Sequence, residues 1–158
     1  MADSIKSFLN NKDLTEHCLT FPRQPQNEVF RESIVRHLSQ MFSPERRVIM
    51  VEGIPASGKT TLLSQFSRYF STRSFSFFIG EDYISSNFIR FQIDMCEQMK
   101  FWSRKNIPSI SVDTEQELKT LFNLLYTDLL REARRGNGPF YFVYRCSHSE
   151  GLAMKNCL

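Results

Sequence analysis

Eight consecutive residues, Gly53-Ile54-Pro55-Ala56-Ser57-Gly58-Lys59-Thr60, fit the spacing G-x-x-x-x-G-K-[ST] without a mismatch. Each type has a chemical reason to be there. The glycines let the backbone curl so that successive N–H groups point at one centre, where phosphate oxygens accept them. A helix starting near Lys59 aims the positive end of its dipole at the same anion. The Lys59 ammonium reaches toward β- and γ-phosphates, and the Thr60 hydroxyl is the expected Mg²⁺ ligand. Thr61 is placed to contact the α-phosphate. Residues 53–61 are thus the expected nucleotide-binding set, with a nucleoside triphosphate and Mg²⁺ as its ligands.

Hydrolysis needs a carboxylate at the end of a further strand, to hold Mg²⁺ through water and polarise the attacking water. The strand predicted there reads Phe140-Tyr141-Phe142-Val143-Tyr144, and Arg145 occupies the acidic position. The nearest carboxylate is Glu150, beyond Cys146-Ser147-His148-Ser149. The catalytic residue is therefore unknown, and little or no turnover is expected.

The elements that must position the loop read as follows. Val48-Ile49-Met50-Val51 is a continuous apolar run, the pattern of a strand buried on both faces of a parallel sheet. It leads into the loop. Leu62, Leu63, Phe66 and Phe70 mark one face of the helix leading out. Upstream, Phe21-Pro22-Arg23-Gln24-Pro25 is extended, and Phe30, Ile34, Leu38 and Met41 predict a helix over about 27–42, capped by Asn27. Downstream, Phe75 to Ile79 predicts a second strand. Ser85 or Ser86 caps a helix carrying Phe88, Phe91, Met95, Met99 and Trp102. Thr114 opens another, with Glu117 at capping-box spacing and Leu118, Leu121, Phe122, Leu125 and Leu129 on its buried face. Strands alternating with helices predict an α/β fold, a P-loop NTPase-like parallel sheet with flanking helices. Three strands are counted, so the sheet is incomplete. The organisation expected is an N-terminal arm (1–20), a partial P-loop NTPase domain (21–144) and a divergent C-terminal tail (145–158).

Composition narrows the classes. With 158 residues, 41% hydrophobic and 23% charged, the chain can bury one core. The net charge of +3 is mild and its basic residues are scattered, without the stripe of a nucleic-acid binder. Four cysteines with no CxxC pair exclude a zinc module and a disulfide scaffold. Neither a signal peptide nor a membrane span is visible, so the expected location is cytoplasmic, without membrane contact.

The chain resembles the start of a STAND-type NTPase, in the NACHT-like and AAA-like neighbourhood, over roughly residues 15–144. Three stretches carry the resemblance. Phe21-Pro22-Arg23 with Glu28 lies one helix upstream of the loop. Thr61-Leu62-Leu63-Ser64-Gln65-Phe66 follows it. Phe77-Phe78-Ile79-Gly80-Glu81-Asp82 precedes the helix with Phe88-Ile89 and Cys96-Glu97-Gln98-Met99. The resemblance implies a nucleotide-driven switch of signalling or defence, and ATP rather than GTP. It carries the phosphate site onto Gly53, Gly58, Lys59 and Thr60, and maps an upstream arginine near the base or phosphates onto Arg23. It also implies a sheet in which the P-loop strand lies between two strands that come later than the third.

The chain departs from that pattern after Val143. A reading-frame shift is one expectation: Tyr144 to His148 can be encoded so that a one-base shift yields Ile-Asp-Ala-Leu. Other functions compatible with the residues are a small P-loop kinase, a GTPase lacking its D-x-x-G, and a non-enzymatic interaction module that meets protein partners or itself through apolar helices.

Overall fold

In the computed structural model, residues 13–79, 88–103, 114–136, 139–145 and 151–157 are described. The chain forms α1 (Glu32–Gln40), β1 (Val48–Glu52), α2 (Lys59–Tyr69), β2 (Ser74–Phe78), α3 (Phe88–Ser103), α4 (Glu115–Arg134), β3 (Phe140–Arg145) and β4 (Gly151–Cys157), after a 3-10 turn at Leu14–His17. It is a mixed α/β arrangement. The strands β2 and β3 pair in parallel, as a strand–helix–strand order leads one to expect.

Two expectations about the sheet are corrected. A fourth strand is present, formed by the tail, and it lies antiparallel to both neighbours in the order β1-β4-β3-β2. The sheet is therefore mixed rather than parallel, and among the described residues β1 has one neighbouring strand, β4, rather than lying between two later strands. The reason is hydrogen-bonding demand: β1 and β3 each present an open row of N–H and C=O groups, and an extended tail between them satisfies both rows. One row across the sheet runs Val51–Leu152–Arg145. The C-terminal ends of β1 and β3 therefore lie at the same end of the sheet.

Alternation along the aromatic strands splits the core into two layers. Phe75, Phe77, Phe140 and Phe142 face α3 and α4, meeting Met95, Met99, Leu118, Leu125 and Leu129. Phe78, Tyr141 and Val143 point the other way, where Val35, Leu38, Leu62, Leu63 and Phe66 of α1 and α2 pack with Ile49. A buried Phe or Leu contributes about 1.5–3 kcal/mol each, so these two layers dominate the stability. Among the described residues, one face of β1 is covered. Ile49 is buried, whereas Val48 and Met50 are 54% and 59% exposed, which corrects the reading of this run as buried on both faces.

Among the described residues, one helix start differs from the expectation. α1 starts at Glu32 rather than near 27; Arg31 occupies the N-cap position without a side-chain bond, so Asn27 is not the cap. Residues 28–31 are drawn instead onto α2. At α4 the Thr114 hydroxyl accepts from the Glu117 N–H at 3.2 Å, the capping expected there. The expected cap of α3 at Ser85 or Ser86 lies outside the described residues. The stretch 13–20 is anchored: Leu14 is fully buried and its N–H donates to the Ser71 carbonyl.

The outer edge of β2 is closed by side chains. Gln98 both accepts from the Ser76 N–H and donates to the Ser76 carbonyl, each at 2.9 Å. The Phe78 N–H donates to the Thr20 hydroxyl at 2.9 Å. Asp94, fully buried, holds this clasp together, accepting from Gln98, the Leu19 N–H and the Thr20 hydroxyl. No described helix is long and apolar enough to cross a membrane.

Candidate functional site

The loop between β1 and α2 is built by its own backbone. Ala56 and Gly58 take positive φ values of 60° and 83°. At Gly58 that conformation lets the chain turn into the helix without a Cβ penalty. The Ser57 N–H donates to the Ile54 carbonyl at 3.3 Å, closing the turn. The first intrahelical bond of α2 runs from the Leu62 N–H to the Gly58 carbonyl at 2.9 Å. Gly58 offers no side-chain cap, so the N–H groups of Lys59, Thr60 and Thr61 open outward at the helix N-terminus. This is the local geometry of an anion seat.

Lys59 folds back over the loop. Its ammonium donates to the Gly53 and Ile54 carbonyls, the latter at 2.8 Å, and lies 3.5 Å from the Ser57 hydroxyl. These contacts are exposed, and the flexible stem allows the ammonium to exchange the carbonyls for a stronger anionic acceptor. Gly53 is confined too: a Cβ there would come within 3.0 Å of the Ser57 hydroxyl. Ile54, Pro55, Ala56 and Ser57 are all exposed, while Thr60 and Thr61 are half-buried at the start of α2.

A second cation stands at the site, one that sequence reasoning missed. The Arg31 guanidinium lies against Gly58, its two terminal nitrogens 3.2 and 3.3 Å from the place a Cβ would take. Its backbone is tethered to α2. The Arg31 N–H donates to Gln65 at 3.0 Å, and the Gln65 amide donates to Glu28 at 2.7 Å and to the Val29 carbonyl at 2.8 Å. Arg68 closes the tether with an ion pair of 2.5 Å to Glu28, whose side chain is only 3% exposed. Breaking one partner of such a buried pair costs about 3–5 kcal/mol, so the segment 28–31 is held firmly. A signal for this existed in Gln65, a polar residue set among the buried Leu62, Leu63 and Phe66.

Arg23, the upstream arginine mapped by resemblance, is exposed. Among the described residues it has no hydrogen bond or ion pair with the loop. Arg145 ends β3, level with Val51 of β1 through Leu152 of β4. Two interstrand spacings, about 9.6 Å in all, separate those backbones. The position where a carboxylate was sought is thus at the loop end of the sheet, and it is cationic. Glu81 and Glu150 lie outside the described residues. Among the described residues no cluster of three or more His, Cys, Asp or Glu side chains is placed to hold a metal ion.

The remaining perturbed groups are away from the loop. Burial pushes the thiols of Cys18 and Cys96 up to about 12, with Asp94 and Glu97 adding to it respectively, so neither is a nucleophile at neutral pH.

No protein-family model matches the chain, and no curated protein or solved structure shows significant similarity to it.

Proposed function

We propose that this chain binds a nucleoside triphosphate, ATP with Mg²⁺, on residues 53–61 and does so with little or no hydrolysis. One observation carries the reading: β1 runs into a loop whose Gly58 is left-handed, and α2 leaves it with three uncapped N–H groups beside the Lys59 ammonium. A β-strand, a glycine-rich turn and a helix N-terminus in that order form the phosphate cradle of a P-loop NTPase. That finer fold reading stands as part of this proposal.

The residues present fit the phosphate half of the group. The uncapped N–H groups and the ammonium supply donors for the phosphate chain, and Arg31 offers a further cation beside Gly58. Mg²⁺, when bound, neutralises phosphate charge, and Thr60 is the residue on this chain to ligate it. On the protein side, binding draws Lys59 off its own loop carbonyls and onto phosphate oxygens. Among the described residues no carboxylate stands at the end of β3 to orient a water, and Arg145 in that place opposes a second metal contact. Binding without turnover suits a cytoplasmic switch or a fragment of one, and the motif resemblance to STAND-type NTPases supports that role.

Titration calorimetry with ATP and GTP, each with and without Mg²⁺, tests the reading. Mg²⁺-dependent heat with ATP is expected. Absence of any nucleotide heat refutes it.

A further inference from the structure

The two edges of the sheet are treated differently. On β2 the outer N–H and C=O groups are taken by Gln98 and Thr20. β1 is the other edge strand, paired only with β4, and among the described residues no element pairs with its outer side. Native sheets normally blunt such an edge, because open backbone groups invite another strand. Here the strand carries no lysine or proline, and two of its large apolar residues, Val48 and Met50, stand out in solvent.

The alternation around this edge is self-complementary. Within β1, Val48, Met50 and Glu52 share the parity opposite to Ile49 and Val51; Arg46, in the turn that closes on Ser43 just before the strand, is one step further in the same register, and all four are exposed. Neither Arg46 nor Glu52 has an ion pair among the described residues. A two-fold axis perpendicular to the sheet brings a second copy of β1 alongside, antiparallel, and keeps like faces together. With the axis through Ile49, Val48 stands opposite the partner's Met50 and Arg46 opposite the partner's Glu52, each twice by symmetry. Shifting the axis to Met50 sets Val48 opposite Glu52 and Arg46 opposite Ile54. Shifting it to Val51 sets Met50 opposite Glu52. Only the Ile49 register matches apolar with apolar and opposite charge with opposite charge.

We propose that β1 is the seam of a homodimer, in which two copies pair antiparallel about Ile49 and their sheets become continuous. The seam satisfies the open backbone edge, covers Val48 and Met50 with each other, and closes at both ends on an Arg46–Glu52 pair. This assignment is independent of nucleotide binding.

Sedimentation velocity over a concentration series tests it on the full chain. The wild type is expected to show a concentration-dependent monomer–dimer equilibrium. Arg46→Glu and Glu52→Arg each set like charges opposite one another twice, and should weaken association by about tenfold or more. The combined variant Arg46→Glu/Glu52→Arg restores opposite charges and should recover the wild-type equilibrium. Met50→Lys, at an exposed position, should give a folded monomer, with circular dichroism as the check on folding. A wild type that stays monomeric at the highest concentration reached overturns the proposal. So does a dimer that survives both single charge variants, or a double variant that fails to recover, since either outcome puts the contact elsewhere.

Discussion

The Arg31 guanidinium rests on Gly58, so that a single methyl group on the glycine would meet it at 3.2 Å. The two residues are far apart in sequence and are joined through Gln65. Gly58→Ala should therefore act twice: a left-handed alanine costs about 1–2 kcal/mol, and its methyl displaces the guanidinium. Arg31→Ala, at an exposed side chain, should leave stability nearly unchanged yet lower nucleotide affinity by about tenfold, as loss of a charge-assisted contact does. Denaturant unfolding and calorimetry on both variants separate the effects. Unaltered affinity in Arg31→Ala removes that residue from the site.

Lys59→Ala should cut affinity about ten- to a hundredfold, the equivalent of roughly 1.5–3 kcal/mol for a contact to a charged group. The carbonyls of Gly53 and Ile54 that it now covers are at the surface, where water replaces the ammonium, so the melting temperature should barely move. An ATP affinity equal to the wild type's would show that the loop does not hold the phosphates.

Purified protein should show no ATPase turnover above background in a coupled assay, because Arg145 stands where a carboxylate would polarise water. Turnover at an ordinary enzymatic rate, lost in Lys59→Ala, would contradict this and direct attention to Glu81 and Glu150.

Asp94 links stability to pH. Burial raises its pKa, and the hydrogen bonds from Gln98, Leu19 and Thr20 offset part of that rise. A carboxyl with a raised folded pKa holds its proton more tightly in the native state than in the unfolded one. Its contribution to stability is therefore fully present below the unfolded value of about 3.9 and declines as pH climbs through the folded pKa. Asp94→Asn removes this titration while keeping one acceptor oxygen for Leu19 and Gln98. The stability of the wild type relative to Asp94→Asn should fall as pH rises from about 4 through the raised folded pKa, and level off above it. Urea midpoints across that range measure it, and a difference growing with pH would reverse the sign.

Local features were legible because local chemistry sets them. The glycine-rich loop is eight consecutive residues, and the φ at Gly58 follows from a tight turn into a helix. The Thr114 cap and the Leu118, Leu125 and Leu129 stripe follow from three- and four-residue spacings on one helix. The start of α1 was misplaced because Asn27 looks like a cap in isolation, whereas Glu28 is claimed by Gln65 and Arg68 from another helix.

What the sequence determined by itself, then, is the glycine-rich turn into α2, the parallel β2–β3 pair between helices, and the arginine that ends β3. The tertiary structure alone decided that Arg31 rather than Arg23 stands at the loop, that the tail enters the sheet between β1 and β3, and that Val48 and Met50 are left in solvent. Periodicity reports which residues share a face, and a run such as Val48-Ile49-Met50-Val51 reads the same whether one face or both are covered. Which strand fills a gap, and which face goes without a helix, depends on contacts between segments distant in the chain, and those are settled only when the sheet assembles.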